Sequence, residues 1–338
     1  MKSYRSASTR AFRARPAAGV AAVVAAATLA ACSSGSTTSA PSGAAGGSTA
    51  KTIAISFPNA SSAPVVQNLL RMAKIEAKAK GYTLIIDDPG NDESKQVNTI
   101  QTWIQEKVGS IVSSTLDPKV VDTVAAQAMA AGIKWVTFGN SIPHQDATLG
   151  FPHSEAGEEL GEAAGSWITA KLGGKTKIGI LADSPAEYAR ERANGILAGL
   201  KKTAPDAQIV ETQDALASTD GLAKTSTMLQ AHADLNMVLA VEDAAGQGAY
   251  QAFLNAGHSA NDPKVFIGGI DGAQDQLKLV QKGSIYRATS AFNQKLLGEG
   301  FVTLPDNLLH GKKGDYNTPV ELVEQGNADI PKLLSYFG

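Results

Sequence analysis

The sequence predicts an α/β protein of two lobes, each a doubly wound parallel sheet covered by helices. Three observations predict it. Strand-like and helix-like runs alternate from Lys51 onward. The strand-like runs are short, β-branched and apolar throughout, as strands buried on both faces are. Four strand–helix units are followed by four more of the same kind, and a length of 338 residues suits two domains. A single sheet of nine or more strands is the other arrangement the alternation allows; the repeated pattern favours two lobes.

The first unit is Ile-Ala-Ile-Ser-Phe at 53–57 and an amphipathic helix over 65–80, stopped by Gly81 as a helix C-cap. The second is Tyr-Thr-Leu-Ile-Ile at 82–86, the acidic run 87–93, then a helix over 93–106. That run lacks the helix-loop-helix calcium spacing and reads as a turn and helix cap, two jobs that Asp and Asn both serve. The third pairs 110–113 with a helix from Pro118 to the stop at Gly132, and the fourth pairs 133–138 with a helix over 154–172. The second set repeats the order: 177–181 with 186–202, 208–210 with 220–231, 237–241 with 244–256 and Gly257, 265–269 with 273–282, and a last run at 285–289. Ligands of doubly wound sheets bind beyond the C-terminal ends of the strands, so the segments following each run are the places to look for function.

The beginning of the chain has another character. Residues 1–31 hold Lys2, Arg5, Arg10, Arg13 and Arg15 and no carboxylate, so the formal charge of −2 for the whole chain becomes −7 without them. An uncharged apolar run over 17–31 follows, shorter than an ordinary spanning helix, and reads as a secretory signal. It ends in Leu29-Ala30-Ala31-Cys32, which resembles a bacterial lipobox, where the cysteine thiol is lipidated before cleavage on its N-terminal side. Cys32 is the single cysteine of the chain. Residues 33–50 are Ser, Gly, Thr, Ala and Pro without periodicity; with Cys32 they make a flexible tether, 32–50.

Composition and motifs exclude several chemistries. An acidic body argues against nucleic acid, whose phosphates require clustered cations. One cysteine permits no intrachain disulfide and no cysteine zinc site. No Gly-x-Ser-x-Gly elbow is present, and Gly174-Lys175-Thr176 fails as a phosphate loop because Thr169 stands where its first glycine is required. Gly246-Gln247-Gly248 lacks a third glycine and sits inside a helical run, where it reads as close helix packing. The histidines, 144, 153, 232, 258 and 310, have no metal-ligand spacing. No catalytic residue, metal or cofactor is expected.

Three further stretches carry a resemblance: Ala189-Arg190-Glu191-Arg192-Ala193-Asn194-Gly195, Glu242-Asp243-Ala244-Ala245-Gly246-Gln247-Gly248-Ala249, and Gly269-Ile270-Asp271-Gly272. In that order, behind a lipobox, they resemble the type I periplasmic solute-binding proteins, especially the ribose-binding-like branch serving ABC transporters, over roughly 51–311. The resemblance implies two lobes joined by a three-strand hinge near 151–153, 291–293 and 318–322. The N-terminal lobe is then 51–152 plus 293–320, and the C-terminal lobe 153–292 plus 321–338.

It also implies a solute site: Phe57, Asn59, Ser61 and Ser62 after the first strand, Asn140 after the fourth, then Arg190, Glu242 and Asp271, with Phe292 at the hinge. The chemistry suits a sugar. Carboxylates accept pairs of hydroxyl hydrogen bonds, Arg donates a planar fork, and an aromatic face covers C–H surface. Each residue has a plainer reading too. Arg190 could pair with Glu187 or Glu191 on a helix surface, Asp271-Gly272 could be a turn, Ser61 and Ser62 could cap a helix, and Phe57 and Phe292 could be core.

Departures bear on the solute. The family's paired aromatics after the first strand are absent, Gly139-Asn140 replaces Asp-Arg, Glu242 replaces Asn, Leu216 replaces an aromatic and Phe292 takes a polar position. A site of Arg190, Glu242 and Asp271 carries −1, which suits a neutral sugar or polyol better than an acid sugar. The resemblance thus implies a monomeric lipoprotein on the extracytoplasmic face of the cell membrane, closing around its solute and delivering it to an ABC permease. A sensor subunit of the same fold, presenting its ligand to a signalling protein, is the alternative. A repressor of this fold would begin with a DNA-reading helix-turn-helix, and an enzyme would turn its sugar over.

Overall fold

The computed structural model describes residues 51–337 except Asn59, Asn140, Asp183 and Ser184; the signal, Cys32 and the tether lie outside the described residues. The elements run β1 (Thr52–Ser56), α1 (Pro64–Lys80), β2 (Thr83–Asp87), α2 (Glu93–Gln105), β3 (Ser110–Ser114), α3 (Pro118–Ala130), β4 (Lys134–Phe138) and β5 (Ala147–Gly150). They continue with α4 (His153–Leu172), β6 (Lys177–Ala182), α5 (Glu187–Thr203), β7 (Gln208–Asp214), α6 (Ser218–Ala231), β8 (Leu235–Ala240) and α7 (Asp243–Asn255). Last come β9 (Phe266–Asp271), α8 (Gln274–Gln281), β10 (Tyr286–Phe292), α9 (Gln294–Leu309), β11 (Tyr316–Asn317), β12 (Val320–Glu324) and α10 (Ile330–Ser335).

Two six-stranded sheets result, ordered β11-β5-β4-β3-β1-β2 and β12-β10-β9-β8-β6-β7. Every pairing is parallel except β10 with β12. In each sheet the strand order reverses once, between β1 and β3 in the first and between β6 and β8 in the second. A crevice opens at such a switch point, beyond the C-terminal ends of the strands. The chain passes from one sheet to the other between β5 and α4, between β10 and α9, and between β11 and β12.

The apolar runs form the sheets because both faces are covered: Ile53, Ala54, Ile55, Ile111, Val112, Val238, Leu239 and Ile267 are fully buried. Caps set the helix ends. Asp92 accepts from Lys95 N at 2.9 Å and Asp117 from Lys119 N at 2.7 Å, so the acidic run before α2 is a turn and cap. Gly81 closes α1 at φ 75°. The expected runs omit β5, β11 and β12. β5 and β11 are short, and β12, Val-Glu-Leu-Val-Glu, is an antiparallel edge strand with one fully buried residue, Val323.

The glycine content is used between helices. A Cβ on Gly157 would lie 2.0 Å from Arg192 O, on Gly161 2.2 Å from Ile196 O, and on Gly195 2.2 Å from Ser154 O. Helices α4 and α5 therefore touch backbone to backbone. Likewise a Cβ on Gly248 would meet Ser218 O at 2.2 Å, which makes Gly246-Gln247-Gly248 a packing feature. Gly195 closes the Arg-Glu-Arg-x-x-Gly stretch, so that motif's glycine sets the distance between α5 and α4. This distance brings Arg192 beside His153.

Candidate functional site

Helix α5 begins where β6 ends, and its two arginines face opposite ways. Residues two apart on an α-helix are about 200° apart around the axis, so one of Arg190 and Arg192 faces inward and the other outward. Arg190 is exposed and its Nη1 donates to Pro185 O at 2.7 Å. Arg192 is 4% exposed. Its Nη1 donates to Val241 O at 2.7 Å and to Asp271 Oδ1 at 3.0 Å, and its Nε to His153 Nδ1 at 3.3 Å. The guanidinium carbon sits 5.1 Å from the Phe151 ring centre and 5.2 Å from that of Tyr188, within cation–π range of both.

Around this cation the ends of four elements converge. Asp271 ends β9, Glu242 precedes α7, His153 begins α4, and Tyr188 lies in the first turn of α5. Tyr188 donates its hydroxyl to Glu242 Oε1 at 2.8 Å. Burial, with Glu242 and Asp243 close by, raises the Asp271 carboxyl above the usual range, while Arg192 pulls it down. Burial and then Arg192 lower His153 to about 3, so its imidazole is neutral at physiological pH. Its Nε2 is buried with no partner among the described residues.

The backbone of Asp271 is unusual. Its φ is 133°, a region that favours glycine, and such strain in a non-glycine residue is held only where surroundings over-determine it. Those surroundings are specific. Asp243, fully buried, accepts from Tyr286 Oη at 2.7 Å, Thr289 Oγ1 at 2.9 Å and Ala273 N at 2.8 Å, which fixes the turn after β9. Gly272 N donates to Thr289 Oγ1 at 3.1 Å. A Cβ on Gly269 would lie 2.2 Å from Tyr286 Oη and 2.4 Å from Asp243 Oδ1, so this strand position has room for glycine alone.

On the first sheet the loop after β1 leans on the loop after β2: Ser61 donates N and Oγ to Asp88 Oδ2, the former at 2.8 Å. Phe57 is 7% exposed and packs on Phe138 and Phe301, with centroids 5.0 and 6.0 Å away, so its ring belongs to the core. Phe292 is 4% exposed and stacks on Phe151 at 4.4 Å, the ring beneath Arg192.

Of the residues expected in the site, Glu242 and Asp271 thus share one connected cluster, and Phe292 borders it through Phe151. Ser61 and Ser62 are exposed at the rim of the first sheet's crevice edge. Asn59 and Asn140 lie outside the described residues. The structure places Arg192, rather than Arg190, against Asp271. Sequence reasoning passed over Arg192, Tyr188, His153 and Asp243. Tyr188, Arg192 and Gly195 share a helix face with buried Ile196 and Gly199, a spacing that groups them on one side of α5 without naming Asp271 as the partner. Among the described residues no group of three or more His, Cys, Asp or Glu could hold a metal ion, and no helix is long and apolar enough to cross a membrane.

Two sheets, parallel but for the β10–β12 pairing and joined by three crossings, with a charged cluster at the strand ends of the second, define a two-lobed binding protein. The profile of the periplasmic binding protein domain matches residues 53–313. The ribose import binding protein of Bacillus subtilis is 31% identical over 267 residues, 78% of this chain and 83% of that protein. A solute-binding protein of an ABC transporter from Mycobacterium smegmatis, solved with bound glycerol, is 29% identical with TM-score 0.73, covering 82% of this chain and 95% of that one. A Caulobacter myo-inositol binding protein shares the fold at 20% identity and TM-score 0.73, with 84% and 95% covered. The chain belongs to the periplasmic binding protein family, in the ribose-binding-like branch of its type I members.

Proposed function

We propose that this protein is the solute-binding component of an ABC importer and captures a small neutral sugar or polyol between its two lobes. The observation that carries this reading is the cluster of Arg192, Asp271 and Glu242 at the strand ends of the second sheet. One guanidinium beside two carboxylates offers a planar donor and several acceptors, which together match vicinal hydroxyls. The net charge of that set repels acid sugars and phosphates. Arg192 and Glu242 are each already held by the protein, so the polar groups are organised before the solute arrives. Closure then stabilises the bound state by contacts that only the closed form makes, with the rim loops at Ser61 and Ser62 supplying the other lobe.

A thermal-shift screen of the full chain against pentoses, hexoses, inositols, glycerol and amino sugars tests it. A binder at 100 times its Kd contributes about 2.7 kcal/mol and raises the melting temperature by several degrees. If none of these solutes shifts the transition while a charged solute does, the neutral-solute reading is wrong.

The same reading puts the protein on the extracytoplasmic face of the membrane, held by lipid on Cys32. The single cysteine, directly after the lipobox-like Leu29-Ala30-Ala31 and before a small-residue tether, supports it. On cell fractionation Cys32→Ala is expected to move from the membrane pellet to the soluble fraction; retention in the pellet would sink the lipid assignment.

A further inference from the structure

A chain of side-chain hydrogen bonds runs through the hinge and ends on the backbone of Asp271. Gln294 stands at the start of α9, one residue past the crossing at Asn293, and is 2% exposed. Its Nε2 donates to Gly272 O at 3.1 Å and to Asp271 O at 3.3 Å. Its Oε1 accepts from Asn68 Nδ2 at 2.9 Å, and Asn68, 7% exposed, lies one turn into α1. Asn68 Oδ1 accepts from Arg71 Nη2 at 2.9 Å and from Nε at 3.3 Å. Arg71 Nη2 also donates to Tyr336 O, just past α10.

Each amide in this chain uses its oxygen and its nitrogen, so neither can turn over without setting donor against donor. The path leaves the second sheet at Asp271, enters α1 and α9, which pack against each other, and returns to the C-terminal segment. It therefore bridges both lobes. At one end is the carbonyl of the strained residue that pairs with Arg192. Between the ends it passes through α1, the helix whose first turn follows the Ser61 and Ser62 loop.

We propose that Asn68 and Gln294 are positioning residues that hold Asp271 in its strained, binding-ready conformation and couple it to the placement of α1 across the hinge. Buried, fully satisfied amide pairs of this kind enforce one arrangement, because any other strands polar groups away from water. A shift of α1 relative to the second lobe then acts on the carboxylate turn directly. The effect on solute affinity rests on the reading of Asp271 as a solute contact; the coupling itself does not.

Hydrogen exchange followed by mass spectrometry, on the purified full chain without added solute, tests the coupling. Gln294→Met keeps side-chain size and removes all three side-chain bonds, and Asn68→Leu removes the partner helix's amide. Both variants are expected to raise exchange in the segment 269–273 about five- to tenfold, the effect of losing one buried hydrogen bond, while segments in β1 and β6 keep their rates. The double variant is expected to add little beyond Gln294→Met alone. Asn68→Leu that melts cooperatively yet leaves 269–273 at the wild-type rate overturns the proposal, as does a uniform rise across both sheets. Should either buried variant fail to fold, Arg71→Ala at the half-buried end of the path carries the same comparison. A screen in which no sugar binds would defeat the solute reading and leave the exchange result standing.

Discussion

Arg192→Ala is expected to abolish the solute-induced rise in melting temperature, while Arg190→Ala keeps it. The two arginines are alike in sequence and differ in surroundings. Arg190 is exposed, and removing an exposed side chain changes stability by about 0.5 kcal/mol or less. Arg192 is buried against Asp271, and its loss leaves that carboxyl beside Glu242 and Asp243 with no cation. Breaking a buried pair on one side costs about 3–5 kcal/mol, so the variant melts lower before any solute is added. Arg192→Lys separates the two effects: the charge stays, the planar fork and its stacking on Phe151 and Tyr188 go, and solute affinity falls about ten- to hundredfold. Isothermal titration beside the melting curves reads both quantities. Solute binding that survives Arg192→Ala but not Arg190→Ala would reverse the assignment.

Gly161→Leu is expected to cost at least about 3 kcal/mol and lower the melting temperature by about 6–12 °C. The first added carbon would stand 2.2 Å from Ile196 O, so α4 and α5 must part by more than an ångström. What blocks it is backbone, which has no rotamer to escape into. Parting the helices also draws His153 from Arg192, so the solute response falls with stability. Ala170→Leu, on the exposed side of the same helix, is the control and is expected to melt like the wild type. Equal melting curves for the two variants would mean that the close helix contact is not what the glycines serve.

Much of the fold was legible because its causes are local. Ile-Ala-Ile-Ser-Phe and Met-Val-Leu-Ala-Val announce strands covered on both sides, and Gly81, Asp92 and Pro118 mark helix ends by capping chemistry that works over a few residues. The short strands were not legible. Tyr316 and Asn317 form β11 because they pair with Leu149 and Gly150, far away in the chain, and no run of two residues carries a period. Part of the site was readable in the same way. Asp271-Gly272 follows an apolar run, and the position of a residue after a strand places it at the crevice.

The choice of arginine was of another kind. Both stand in one motif, and only the packing of Gly157, Gly161 and Gly195 fixes which face of α5 turns toward Asp271. By itself the sequence determined the alternation of strands and helices, their division into two like sets, and the residue types offered at the strand ends. These follow from periodicity and backbone preference, which neighbours in the chain express. Only the tertiary structure decided that Arg192 meets Asp271, that Phe57 belongs to the core, and that Asn68 bonds Gln294 across a separation of 226 residues. Burial and hydrogen-bond partnership are properties of pairs brought together by folding, and no local pattern encodes the partner.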